Sequence, residues 1–221
     1  MSLPTPVDGA APRYFGVYPA LVTDLVDPAG LGRVQVRFPW LGTDGDADVR
    51  AWATLCSPYA DADQGLLALP EVGSQVVVAF EAGDTRRPYV IGAAWNGQEA
   101  LPHPPEQAND VRLLRSRADS RLEFDDARGG AAVRLRMRSG HEVVLDDVAQ
   151  EVTVRHATGA VVRLTPTSVE VQANATVQVT SPMVKVDAAV ATFSGLVKVG
   201  TLIAEQAVMS PSYTPGAGNV W

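Results

Sequence analysis

From residue 112 to residue 209 the chain is built of short stretches in which apolar and polar residues alternate one for one. Val133-Arg134-Leu135-Arg136-Met137-Arg138 alternates strictly, and so does the run from Val169 to Val179. Val184-Lys185-Val186-Asp187-Ala188 and Val197-Lys198-Val199 continue the pattern. A period of two is that of a strand with one apolar face. Weak repeats overlie it. Leu122-Glu123-Phe124-Asp125-Asp126 aligns with Val143-Val144-Leu145-Asp146-Asp147, and Ser139-Gly140-His141 with Thr158-Gly159-Ala160. Val169, Val177 and Val184 then begin successive strand pieces at closer spacing. Short strands repeating in this way mark a β-solenoid or a stacked fibre.

A single copy of such a ribbon is poorly stable. Burying a valine contributes about 1.5 kcal/mol, while ordering each backbone residue costs about 1–2 kcal/mol. Only every second residue points inward, so one valine must offset the ordering of two residues. Wrapping identical ribbons around a common axis buries the apolar faces and pairs the edges between chains. The inward residues are small and β-branched, which suits a narrow axis. Three chains make the simplest closed ring with a filled interior, so the pattern predicts a homotrimer. The axial core is expected at Val169, Val171, Val177, Val179, Val184, Val186, Val197 and Val199. The alternative is a single-chain β-sandwich half, although sandwich cores normally use aromatic residues.

Those aromatics lie elsewhere. Ten of the fourteen precede residue 100, and only Phe124, Phe193, Tyr213 and Trp221 follow it. The first half therefore has the bulky residues of a conventional core. Strands are predicted over 15–22, 32–38, 51–55, 75–80 and 87–92, with a hairpin turn at Glu81-Ala82-Gly83-Asp84. Five short strands without a helical period suggest a small closed barrel, since closure removes exposed edges. Leu101-Pro102-His103-Pro104-Pro105-Glu106 resists helix and strand pairing alike and marks the boundary. The expected organisation is an arm over 1–13, a barrel over 14–100, a Pro-rich linker over 101–111, a shaft over 112–209 and a tail over 210–221.

Three blocks of the barrel half carry a family resemblance. They are Gly30-Leu31-Gly32-Arg33-Val34-Gln35-Val36-Arg37-Phe38-Pro39-Trp40, the run from Gly65 to Glu81, and Gly83-Asp84-Thr85-Arg86-Arg87-Pro88-Tyr89-Val90-Ile91-Gly92 followed by Trp95-Asn96-Gly97. Over residues 14–97 the chain resembles the phage baseplate assembly protein V and VgrG spike families. Ser139-Gly140-His141-Glu142 and Asp146-Asp147 resemble their shafts, and the stretch from Ser212 to Trp221 resembles the end of short extracellular spikes. The resemblance implies an all-β chain: an N-terminal OB-fold barrel followed by a trimeric intertwined β-helix needle. It implies a place at the centre of a baseplate and a needle driven into a target envelope when a sheath contracts. Unlike VgrG, the chain has no fused hub domain before the barrel, so a separate hub protein is expected. It has no lysozyme-like insert. It also lacks a His-x-His pair near the C-terminus, which implies a blunt end capped by a separate PAAR-type tip protein, with Tyr213 and Trp221 as candidate docking residues.

Charge and chemistry point the same way. The formal net charge is −7, and residues 1–100 carry 6 Lys+Arg against 12 Asp+Glu. An acidic chain is repelled by phosphate backbones, so nucleic acid is not an expected partner. The one basic cluster runs from Arg112 to Arg138, with eight arginines against four acids. It reads as an outward row whose arginines pair with acids of neighbouring chains. Cys56 excludes an intrachain disulfide and reads as a small core residue. Asp44-Gly45-Asp46-Ala47-Asp48 lacks the Gly and Glu of a calcium loop, with Val49 and Leu55 in those places. His103, His141 and His156 lack metal spacing. The pairs Asp125-Asp126 and Asp146-Asp147 recur at equivalent repeat positions, as turn residues do. No nucleophile elbow or phosphate loop is present. No catalytic, cofactor-binding or metal residue is therefore expected, and no enzyme. The start of the chain lacks the features of a signal peptide and no apolar run is of membrane-spanning length, which predicts cytoplasmic synthesis followed by incorporation into a virion or injection particle. The rival reading is an OB-fold module binding oligonucleotides or saccharides on an oligomerisation stalk.

Overall fold

A computed structural model of the chain describes residues 12–44 and 47–210. Among the described residues helix is confined to two single 3-10 turns, Pro39–Leu41 and Glu81–Gly83. In chain order the first nine strands are β1 (Val17–Asp24), β2 (Arg33–Arg37), β3 (Thr43–Asp44), β4 (Ala47–Asp48), β5 (Arg50–Leu55), β6 (Ala60–Asp61), β7 (Gln64–Gly65), β8 (Gln75–Phe80) and β9 (Pro88–Ala93). Five of them close a barrel in the order β1-β2-β5-β9-β8. All the barrel pairings are antiparallel except β5 with β9, which pair in parallel through Thr54↔Tyr89 and Leu55↔Val90. The five strands expected from alternation are thus found, each within two residues of its expected ends.

Alternation places one side chain in two inside the barrel. Val34 and Val36 of β2, Val76 and Val78 of β8, Ala20 and Val22 of β1, Ala53 of β5 and Val90 of β9 are buried there. Phe38 and Phe80 plug one end, with ring centroids 5.4 Å apart. Tyr18 stacks on Trp40 at 4.6 Å, and the Trp40 Nε1–H donates to the Pro19 carbonyl at 2.9 Å. Five of the ten first-half aromatics, Tyr14, Tyr18, Phe38, Trp40 and Phe80, fill this core and its rim, whereas Phe15, Tyr59 and Trp95 are exposed. Cys56 departs from the core role read from the sequence: its thiol is exposed. Ala53 points inward, so two-residue alternation turns Trp52, Thr54 and Cys56 outward.

Asp27 shapes the turn between β1 and β2. Its carboxylate, with side chain only 3% exposed, accepts backbone N–H groups of Ala29 and Leu31 at 3.0 Å each and the Arg33 guanidinium at 2.9 Å. The Arg33 guanidinium, aided by these N–H donors, holds the Asp27 carboxyl well below the usual carboxylate range. Asp84 is lowered in the same way by Arg86. Because folding lowers these values, the unfolded chain binds more protons in acid, and the stabilisation present above about pH 4 declines as pH falls below it. The melting temperature of the barrel should be flat from neutral pH to about pH 5 and fall below about pH 4. An Asp27→Asn variant should show a shallower acid limb. An equally steep limb would remove Asp27 from this role.

Beyond the linker lie β10 (Val111–Arg115), β11 (Arg121–Asp125), β12 (Ala132–Arg136), β13 (Glu142–Asp146), β14 (Glu151–Arg155), β15 (Val161–Leu164) and β16 (Val169–Gln172). They form one antiparallel meander in sequence order. Arg121–Asp125 and Glu142–Asp146 hold the two sequence repeats. Gly140 and Gly159 take positive φ, 92° and 104°, in equivalent hairpins closed by Met137 N–H to His141 O and by His156 N–H to Ala160 O. The Asp carboxylates that follow the repeats act as turn formers: Asp125 accepts from the Ala127 N–H and Asp146 from those of Val148 and Ala149.

By its internal contacts the chain divides after Asn174. The long alternating run expected from Val169 to Val179 is a strand only as far as Gln172. Among the described residues none from Ala173 to Ser210 is in a strand, and all are exposed. A strand exists only where a ladder partner does, and the single chain supplies none here. Tyr213 and Trp221, the candidate docking residues of the tail, lie outside the described residues.

Candidate functional site: an open apolar sheet face

The register of the meander sorts its side chains into two faces. Leu114, Leu122, Leu135, Val143, Val154, Val162 and Val171 stand opposite one another across all seven strands. Two residues along each strand, on the same face, run Arg112, Phe124, Val133, Leu145, Val152, Leu164 and Val169. Only Arg112 is polar, and it is ion-paired with Asp126. Most of these side chains are exposed, among them Leu114, Phe124, Leu135, Leu145, Val154 and Val171. A contiguous apolar face across seven strands far exceeds the scattered apolar residues of an ordinary surface and marks an interaction site.

The opposite face carries most of the charged residues, and many of them are ion-paired within the chain. Arg134 lies directly across from Glu123, at 3.2 Å, and reaches Asp125 at 2.7 Å. Arg136 lies across from Glu142, at 2.6 Å. Asp119 receives both Arg115 and Arg121, at 2.7 and 2.9 Å. Arg163 bridges Glu151 at 3.2 Å and Glu170 at 3.7 Å. The Arg134 guanidinium lowers the Asp125 pKa, and Arg121 lowers that of Asp119. The sequence expectation that these arginines pair with acids of neighbouring chains is corrected for Arg134 and Arg136. Antiparallel pairing already sets opposite charges side by side in one chain. Most charges of one face therefore have partners in the chain, whereas the apolar face is left open among the described residues.

Of the expected axial residues, Val169 and Val171 lie in β16 on the open apolar face, next to Leu164 and Val162. Val177, Val179, Val184, Val186, Val197 and Val199 are exposed and outside any strand of the single chain. The residues that sequence reasoning missed are those of the same face upstream, from Leu114 to Val162. Their signal was present in the alternation at Val133/Leu135 and Val143/Leu145 and in the repeat joining β11 to β13. His141 and His156, fifteen residues apart, are brought to a ring separation of 4.4 Å by the two adjacent hairpins. Each Nδ1 accepts a backbone N–H, from Ala157 at 3.3 Å and Thr158 at 3.2 Å respectively. Among the described residues no group of three or more His, Cys, Asp and Glu is placed to hold a metal ion. No helix among them is long and apolar enough to cross a membrane.

Comparison with known proteins gives both parts of the chain a relationship. Residues 18–95 match the type VI secretion system/phage-baseplate injector OB domain, the span of the closed barrel. Residues 132–192 match the phage baseplate V C-terminal trimerisation domain, which takes in the open face from β12 onward. The type VI secretion system spike protein VgrG3 of Vibrio cholerae is 24% identical over 149 residues, 62% of this chain and 15% of that protein. The spike protein VgrG5 of Pseudomonas aeruginosa is 29% identical over 151 residues, 63% of this chain and 18% of its own length. VgrG2a of the same organism is 32% identical over 125 residues, 52% of this chain and 14% of that protein. The matched stretches thus span less than a fifth of these relatives. An injector OB barrel followed by a trimerisation domain defines the class, and agrees with the expected β-helical needle. The chain belongs to the family of phage baseplate V and VgrG-like spike proteins.

Proposed function

We propose that the chain is the homotrimeric central spike of a phage-tail-like contractile injection system. The observation that carries the reading is the apolar face of β10–β16, open in one chain and lying largely within a region that matches a trimerisation domain. Three copies packed by this face bury it around a common axis. Downstream of Gln172, where the single chain offers no ladder, strands of neighbouring copies supply one another's partners. The eight expected axial valines, Val169, Val171, Val177, Val179, Val184, Val186, Val197 and Val199, then line the shaft. Such a shaft is stiff because every opening breaks hydrogen bonds between chains as well as within them.

In this reading the work is mechanical and the protein is not an enzyme. The barrels form a collar that docks to a separate hub protein. The needle passes axial force to the target envelope when the sheath contracts, and a separate PAAR-type protein caps its tip. Assembly follows synthesis in the cytoplasm, and the system that carries the particle determines whether it acts on or outside a cell.

Two experiments test the reading. Gold-labelled antibody against the barrel should mark one end of contractile particles, at the baseplate; labelling along the sheath or away from particles contradicts it. Replacing Val171 and Val179 together by Asp should remove the protease-resistant shaft fragment while leaving the barrel folded. A resistant shaft from that variant contradicts the axial assignment.

A further inference from the structure

The segment joining β5 to β8 leaves the barrel as an apolar tab. Leu67 is 81% exposed, and Leu66, Leu69 and Val72 are exposed beside it. The tab is firmly built. The Leu66 N–H donates to the Tyr59 carbonyl at 2.9 Å, and the Tyr59 hydroxyl donates to Gln64 Oε1 at 2.6 Å. The Ser57 hydroxyl lies 2.8 Å from the Leu66 carbonyl, within hydrogen-bond reach. Gly65 has φ +148°, and a Cβ there would lie 2.7 Å from the Tyr59 carbonyl oxygen, so only glycine lets the two short strands close. Ordered leucines held in water need a partner surface.

Two observations indicate what that surface is. Glu71, at the end of the tab, is bridged at 3.1 Å to Arg117, in the β10–β11 hairpin of the meander. The bridge ties the end of the tab to the β10–β11 hairpin of the same chain, and Leu114, near the end of β10 that enters that hairpin, is 66% exposed. The charges also match. Residues 60–72 carry Asp61, Asp63 and Glu71 and no basic residue. The hairpins at the Arg117 end of the meander include Arg138, which is exposed and belongs to none of the ion pairs found among the described residues.

We infer that the tab Leu66–Val72 packs on the meander of a second copy of this chain, so that the trimer interface runs from the shaft up into the barrel collar. The inference rests on the trimeric reading above. The leucines extend the apolar seam, and the acidic rim meets the arginine-bearing hairpins of the neighbour. The collar is thereby locked in rotation to the shaft, and the linker of residues 101–111 is not the sole connection carrying load between them.

The test is thiol protection in the purified full chain. In a Cys56→Ser background, Leu67→Cys is labelled with a bulky maleimide and compared with Val26→Cys, a residue 78% exposed in a loop of the barrel. Leu69→Cys gives a second reading of the tab should a thiol at 67 disturb folding. Light scattering is run on each sample. The inference predicts labelling at least tenfold slower at 67 and 69 than at 26 in the trimer. Adding Leu135→Asp and Val162→Asp, which break the sheet-face contact, should abolish the protection. A trimer in which all three thiols react alike overturns the inference and leaves the trimeric reading standing. Protection that arises only when a hub protein is added also overturns it, and assigns the tab to that protein. A monomeric purified chain overturns both.

Discussion

The double variant Leu135→Asp/Val162→Asp is expected to purify as a monomer with an intact barrel. Both residues lie in the same apolar row, on β12 and β15, with β13 and β14 between them. Both are exposed in the single chain, so neither carboxylate disturbs the isolated fold. In the assembly each would be buried against apolar side chains of another copy without a counter-charge. An unpaired polar group buried in this way costs about 3 kcal/mol or more. Two per copy correspond to a loss of roughly 10⁴-fold or more in association. Trp40, Trp52 and Trp95 all lie in the barrel half and report its folding through their fluorescence. A trimer with unchanged stability would show that the open face is not the contact.

Phe38→Ala is expected to have the largest effect on the barrel. Phe38 is 1% exposed, contacts Phe80 at 5.4 Å and Trp40 at 6.0 Å between ring centroids, and is the largest fully buried side chain among the described residues. Truncating a buried phenylalanine removes its transfer contribution and leaves a cavity, at a cost of about 3–5 kcal/mol. That is much of the stability of a small domain. The barrel transition in thermal melts should fall by ten degrees or more, or vanish. Because the shaft has its own contacts, its protease resistance should survive. A barrel that melts unchanged would mean that the ring does not plug it.

How much of this was legible in the sequence depended on where each ladder partner lies. In the barrel the alternation at Arg33–Arg37 and Gln75–Phe80, the turn residues and the clustered aromatics all agreed with one closed sheet, and the strands fell where expected. In the shaft half the same period appears at Val133–Arg138 and at Val169–Val179, yet the two behave differently. Ala132–Arg136 is a strand between two strands of its own chain, whereas the second run loses its ladder after Gln172. A period of two says which face is apolar. It does not say whether the edge pairs with the same chain or another. The hairpin glycines Gly140 and Gly159 are the residues that decide it upstream. For the same reason the residues expected from the sequence begin at Val169, whereas the open face that carries Val169 and Val171 extends upstream through Val154, Val143 and Leu135. Cys56 was misplaced because composition favours burial while strand parity turns it outward. The meeting of His141 and His156 needed the register of two hairpins, which no linear spacing contains.

The central claim is that the open sheet face and the ladderless segment beyond it are completed by two further copies of the chain. Light scattering on the purified full-length protein, read across a dilution series into the micromolar range, tests it most directly. The account predicts one species of three times 23.4 kDa that persists on dilution. A uniform species of 23.4 kDa with a protease-resistant segment beyond Gln172 would contradict it.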